Sequence, residues 1–204
     1  MPCHNLFTIN VKGHDYQVPC RWCLGCRIDR RNFWSSRMRF EMYTQRLKGF
    51  SSSFLTLTYN DENCPDTLVK KDVQNFLKRL RYYFSKSISV KNNPHFKYYC
   101  VGEYGDGTRT QQSNLKFGTK LTSTHRPHYH LCFFGIESNF LKKYSRKSWK
   151  FGFVTCTPLN ATRINYCLNY IDQEILDFKS DCDENGRLYP FSLFSKGIGS
   201  DYFK

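Results

Sequence analysis

The sequence has no apolar run approaching the ~20 residues that a membrane-spanning helix needs, so no spanning helix is expected. It also has no visible export signal, because Met1-Pro2-Cys3-His4 opens a polar, mixed stretch. Without export, its 10 cysteines are expected as metal ligands or reduced thiols rather than disulfides, in a cytosolic protein. No Gly-x-x-x-x-Gly-Lys-Ser/Thr segment is present, which excludes a recognisable NTPase motor. There is no internal repeat, so no solenoid or propeller is expected. Acidic residues are scarce: 17 Asp and Glu stand against 31 Lys and Arg, for a formal charge of +14. Such an excess points to a polyanionic partner, since neutralising phosphates releases counterions and steers association. A plainly basic surface, or a membrane-surface protein, would give the same total, but no basic amphipathic anchor stands out.

What the chain does have is apolar and aromatic mass. Hydrophobic residues make up 40% and aromatics 17% of 204 residues, enough for one well-packed domain and for stacking on unpaired bases. The spacing Cys20-x-x-Cys23-x-x-Cys26, with Gly25 allowing a sharp turn, puts three thiols in one loop. With Cys3 they would complete a tetrahedral zinc site, and His4 or His14 could replace one ligand. An iron–sulfur cluster is the rival, but the Cys-Pro that closes ferredoxin runs is absent nearby. Residues 1–26 are therefore read as a Cys-rich segment, short on periodic structure, that clips the N-terminus. Cys100, Cys132 and Cys156 fall in strand-like runs and read as small buried hydrophobes.

Residues 27–48 read as a helix ended by Gly49, with Arg27, Arg30, Arg31, Arg37, Arg39 and Arg46 available to phosphate. Strands are expected at 54–59, 96–104, 128–134 and 151–156. An amphipathic helix is expected at 69–84, where Val73, Phe76, Leu77, Leu80 and Phe84 recur at helical spacing. Residues 138–150 read as basic and loosely helical. A further helix is expected at about 161–178, capped by Asn160 or Thr162. Residues 85–95 and the polar stretch 105–124 read as loops. Residues 179–204 read as an extension without clear periodicity, whose natural end is left open.

His128 and His130 are two apart on the third strand, so both imidazoles leave one face while Tyr129 leaves the other. Neutral imidazoles bind divalent cations, and Glu103 at the end of the preceding strand can supply an oxygen if the two strands pair. His125 could be a third histidine ligand instead, and Asp61 or Glu62 a supporting carboxylate. Tyr166 and Tyr170 are four apart on the last helix and share a face, as core aromatics or as paired nucleophiles.

Taken together, Cys20-x-x-Cys23-x-x-Cys26, Thr56-Leu57-Thr58-Tyr59, Gly102-Glu103-Tyr104-Gly105, Arg126-Pro127-His128-Tyr129-His130 and Tyr166-x-x-x-Tyr170 resemble the HUH endonucleases. Within them, the chain is similar to the rolling-circle replication initiators of microviruses, particularly the gokushovirus branch. The resemblance implies an α+β fold: a mainly antiparallel sheet of four or five strands with flanking helices. It divides the chain into the segment 1–26, an endonuclease domain at 27–178 and an extension at 179–204. It implies a site-specific nicking and joining enzyme for single-stranded DNA, with Mg²⁺ or Mn²⁺ on Glu103, His128 and His130. Tyr166 and Tyr170 would form 5′-phosphotyrosine links in turn, and Arg27, Arg30, Arg31, Arg37 and Arg126 would contact DNA. Partners would be single-stranded and supercoiled origin DNA and a host helicase, with no membrane, in the host cytoplasm. The lysine that related single-tyrosine initiators carry three residues after the tyrosine is replaced here by Gln173. Two other readings remain open: a zinc-clipped, non-catalytic single-strand-binding protein, and an HUH transposase or relaxase.

Overall fold

The computed structural model describes residues 3–87, 95–105, 126–177 and 179–203. For 170–177, 179–181 and 202–203 the description is of the backbone alone. His125 and nearly all of the expected 105–124 loop lie outside the described residues, as does most of the 85–95 loop. Among the described residues no helix is long and apolar enough to cross a membrane.

The elements in chain order are β1 (Phe7–Val11), β2 (His14–Val18), α1 (Leu24–Leu47), β3 (Ser52–Tyr59), α2 (Lys70–Ser85), β4 (Lys97–Tyr104), β5 (Pro127–Phe134), α3 (Ser138–Ser148), β6 (Gly152–Pro158), α4 (Ala161–Asp177), α5 (Lys179–Glu184) and β7 (Phe191–Phe194). The expected α+β architecture is present: five antiparallel strands in the order β6-β3-β5-β4-β7 with helices on both faces.

Period-two alternation on the strands sorts the two cores. On one face, Leu55, Leu57, Cys100, Tyr129, Leu131 and Phe133 pack with the α2 stripe of Val73, Phe76, Leu77, Leu80 and Phe84. On the other, Phe54, Tyr99, Val101, Cys132 and Phe134 pack with Met38 of α1 and Ile164, Cys167 and Leu168 of α4. Side chains this buried contribute roughly 1.5–3 kcal/mol each, which fixes the register. Thr56, Glu103, His128 and His130 belong by parity to the second face, under α1 and α4.

The helix ends follow local chemistry. Gly49 takes φ +79° just past α1, the left-handed position that favours glycine. Asn160 caps α4, its Oδ1 accepting the Arg163 N–H at 2.9 Å. Residues 138–150, which read as only loosely helical, form the regular helix α3.

Two stretches hold more order than their sequence suggests. Residues 7–18 form a hairpin, turned by Lys12 at φ 52° and Gly13 at φ 83°. Phe7, Ile9, Val11 and Tyr16 alternate with Thr8, Asn10, Asp15 and Gln17, a strand signal hidden by the cysteines around it. In the 179–204 stretch, Phe191–Phe194 adds the fifth strand beside β4. Four residues are too short to show periodicity. The stretch is tied down by polar contacts: buried Glu41 accepts from Lys97 Nζ and from the Gly199 N–H, both at 2.8 Å. Arg37 Nε donates to the Ile198 carbonyl at 2.7 Å.

Candidate active site

β4 and β5 pair with Glu103 directly opposite His128, and β3 and β5 with Thr56 opposite His130. Three facing positions on two strands therefore converge. Glu103 is fully buried, His130 nearly so and His128 half-buried. His128 Nε2 lies 2.6 Å and His130 Nε2 2.8 Å from the same Glu103 oxygen, Oε1. The three potential ligand atoms all lie within 4.8 Å of one another.

The far nitrogen of each ring decides what the near one can do. His128 Nδ1 lies 3.0 Å from the Arg126 carbonyl, which can only accept. In its neutral form the ring then carries its proton on Nδ1 and turns the Nε2 lone pair to the carboxylate, the form that ligates a cation. The carboxylate calls for a positive charge beside it, which a bound cation or a protonated ring supplies, and the donor set of one oxygen and two nitrogens fits a cation. A buried carboxylate with two imidazole nitrogens suits a divalent ion such as Mg²⁺ or Mn²⁺. His130 Nδ1 lies 3.0 Å from Thr56 Oγ1, and the Phe54 ring stacks on the His130 ring at 5.4 Å. Neither partner of His130 was legible as such in the sequence. Their roles follow from the β3–β5 register, which no local pattern states.

Tyr166 projects from α4 onto this group. Its ring meets His130 edge-on at 5.1 Å and Phe54 at 6.4 Å, while 38% of the residue stays exposed. Residue 170 lies one turn along the same helix; the side chains of Tyr170 and Gln173 lie outside the described residues. Of the supporting carboxylates considered, Asp61 instead pairs with the Arg126 guanidinium, which also donates to the Tyr59 carbonyl at 3.1 Å. Arg126 thereby fastens the start of β5 to the end of β3. Arg37 faces the Phe33 and Trp34 rings besides its bond to Ile198. Arg30 lies exposed on α1, with Arg27 and Arg31 half-buried beside it.

The four early cysteines also gather. Their sulfurs lie within 4.8 Å of one another, with Cys20–Cys26 at 3.9 Å and Cys23–Cys3 at 3.8 Å. Thiolates ~2.3 Å from a tetrahedral ion stand about 3.8 Å apart, so these separations fit a single four-sulfur ion site. A polynuclear cluster would interpose more atoms and hold the thiolates farther apart. His4 and His14 are not in the group. The Cys26 N–H lowers the Cys23 thiol to about 6, whereas burial raises Cys26 to about 12. All four are free of disulfides.

Comparison with known proteins gives the family of the chain. The profile of the family described as "Replication-associated protein ORF2/G2P" matches residues 52–175, which include both histidines, Glu103 and both tyrosines. The chain is 30% identical to Replication-associated protein ORF2 of Spiroplasma virus 4 over 213 aligned positions, covering 91% of this chain and 57% of that protein. It is 29% identical to Replication-associated protein VP4 of Bdellovibrio phage phiMH2K over 130 positions, covering 63% of this chain and 35% of that one. It thus spans about half the length of the first relative and a third of the second. No solved structure matches the chain. With the matched span enclosing β3 through most of α4, the chain belongs to the replication-associated protein ORF2/G2P family.

Proposed function

We propose that this chain is an HUH-type endonuclease that nicks and rejoins single-stranded DNA, and so starts rolling-circle replication of a phage genome. The observation that carries this reading is the contact between Tyr166 and His130: an exposed phenol beside one imidazole of a convergent Glu-His-His group. Glu103, His128 and His130 would hold Mg²⁺ or Mn²⁺, which when bound polarises the scissile phosphoryl group and offsets charge in the in-line transition state. Tyr166 Oη attacks phosphorus, the bond to the 3′ oxygen breaks, and that oxygen leaves as a 3′-hydroxyl, taking up a proton. The 5′ phosphate stays on the tyrosine. One phosphoester replaces another, so the reverse attack by a 3′-hydroxyl reseals the strand without ATP.

Tyr170, one turn further along α4, would cut the regenerated origin while Tyr166 still holds the first 5′ end. A helix provides that pair with fixed spacing. The endonuclease unit is assigned to residues 27–178, with 1–26 as its clip and 179–204 supplying an edge strand. Zn²⁺ is assigned to Cys3, Cys20, Cys23 and Cys26, whose sulfur spacing supports it. Arg27, Arg30, Arg31, Arg37 and Arg126 are assigned to the DNA side, supported by the charge of +14. Single-stranded and supercoiled origin DNA are the substrates, in the host cytoplasm. A host helicase is assigned the unwinding.

The second reading, a non-catalytic single-strand-binding protein, leaves the convergence of Glu103, His128, His130 and an exposed Tyr166 without a use. An end-labelled oligonucleotide of the cognate origin tests the proposal: Mn²⁺-dependent cleavage with label retained on the protein supports it. Tight binding with no adduct on that origin overturns it.

A further inference from the structure

The two histidines of the site are held by different kinds of partner. His128 Nδ1 faces a backbone carbonyl, the Arg126 oxygen at 3.0 Å, which accepts and never donates. His130 Nδ1 faces the Thr56 hydroxyl at 3.0 Å, and a hydroxyl can do either. We infer that Thr56 is a positioning residue that fixes the His130 ring and its tautomer so that Nε2 can ligate a divalent cation, as the Arg126 carbonyl does for His128. This deepens the metal-site assignment above and rests on it.

A ligating imidazole must present a lone pair at the nitrogen that faces the metal. His130 Nε2 lies 2.8 Å from Glu103 Oε1, on the side where the three ligand atoms gather. For Nε2 to ligate, the ring proton belongs on Nδ1, where the Thr56 hydroxyl can accept it. That one contact would set both the tautomer and the orientation of the ring.

The surroundings keep the ring still. Phe54 stacks on it at 5.4 Å with an interplanar angle of 18°, and Tyr166 closes its edge. Thr56 is opposite His130 in the β3–β5 register, so its χ1 and hydroxyl position are set by the sheet. Outer partners of metal-binding histidines are commonly worth about 10- to 100-fold in metal affinity.

The test compares Thr56→Val, which keeps shape and loses the hydroxyl, with Thr56→Ser, which keeps the hydroxyl. Mn²⁺ affinity of the full chain is read by electron paramagnetic resonance, and the His130 tautomer by nitrogen-detected NMR, with Zn²⁺ as the diamagnetic ion. Thermal melts check that each variant folds. Thr56→Val should bind Mn²⁺ about 10- to 100-fold more weakly, Thr56→Ser should bind within about threefold of the parent, and His130 of the metal-loaded parent should carry its proton on Nδ1. Parent-like affinity in Thr56→Val overturns the role of Thr56 while leaving the metal site standing, as does an equal loss in Thr56→Ser. A parent chain that binds no Mn²⁺ overturns the metal-site assignment and this inference with it.

Discussion

The Tyr166 ring stands edge-on to the His130 ring with 5.1 Å between centroids, although the two residues are 36 positions apart in the chain. β5 fixes one and α4 the other, and buried Ile164, Cys167 and Leu168 hold α4 against the sheet face that carries the histidines. A phenol placed there is within reach of whatever the Glu-His-His group binds. Tyr166→Phe should therefore cut cleavage of the first substrate strand by at least about 100-fold, the scale of a lost nucleophile or general catalyst, and leave oligonucleotide binding within about threefold, because phosphate contacts supply most of it. Gel shift and single-turnover cleavage read the two effects. Tyr170→Phe alone should spare one round of cleavage and block strand exchange.

Glu103 is fully buried and receives both imidazoles on one oxygen. Glu103→Gln keeps the shape and loses the charge. The variant should lose measurable Mn²⁺ binding in isothermal titration, and cleavage with it. The cation-free protein should melt within a few degrees of the parent or above it, since removing a buried charge relieves desolvation. A large loss of melting temperature with unchanged Mn²⁺ binding would show instead that Glu103 is structural.

The cysteine group ties residue 3 to the first turn of α1. The hairpin between them, β1 and β2, exposes nearly all its side chains and buries no core of its own, so a two-stranded ribbon must borrow stability from elsewhere. Metal analysis should give one zinc per chain. Chelation should collapse backbone amide protection in residues 3–26 while β3–β5 stay protected in hydrogen exchange. Cys23→Ser should reproduce that result. Uniform loss of protection across the sheet would mean the ion supports the whole fold.

Gly199 has φ +57°, and a Cβ built there would lie 2.4 Å from the Arg37 carbonyl oxygen. Gly199→Ala should therefore destabilise by more than about 1 kcal/mol, through backbone strain and a backbone clash together. Glu41→Ala should cost about 1–3 kcal/mol, because it leaves the buried Gly199 N–H without its acceptor and removes the carboxylate partner of Lys97. Urea unfolding measures both. Parent-like midpoints would show that the C-terminal stretch is dispensable.

Much of this architecture is legible in the residues alone. The α2 stripe, the four strand runs and the Asn160 cap are local patterns, and each forms within a few residues of its expected bounds. The His128/His130 pair needs only period-two geometry. What local patterns leave conditional is non-local. Glu103 is expected to join the histidines only if the two strands pair; β4 does pair with β5, in a register that nothing in either strand alone states. Thr56 acquires its partner the same way. The hairpin at 7–18 has the right alternation but is masked by the flanking cysteines, and β7 is too short for any periodicity.

Central to the proposed chemistry is that the Glu103, His128 and His130 group and the Tyr166 phenol act on one phosphate. Mass spectrometry of the peptide–oligonucleotide adduct formed with Mn²⁺ on the cognate origin strand reads this without intermediaries. A 5′-phosphate link on Tyr166 or Tyr170 is expected, and it should vanish in Tyr166→Phe/Tyr170→Phe and in Glu103→Gln. A link on any other residue, or cleavage that persists in those variants without an adduct, would contradict it.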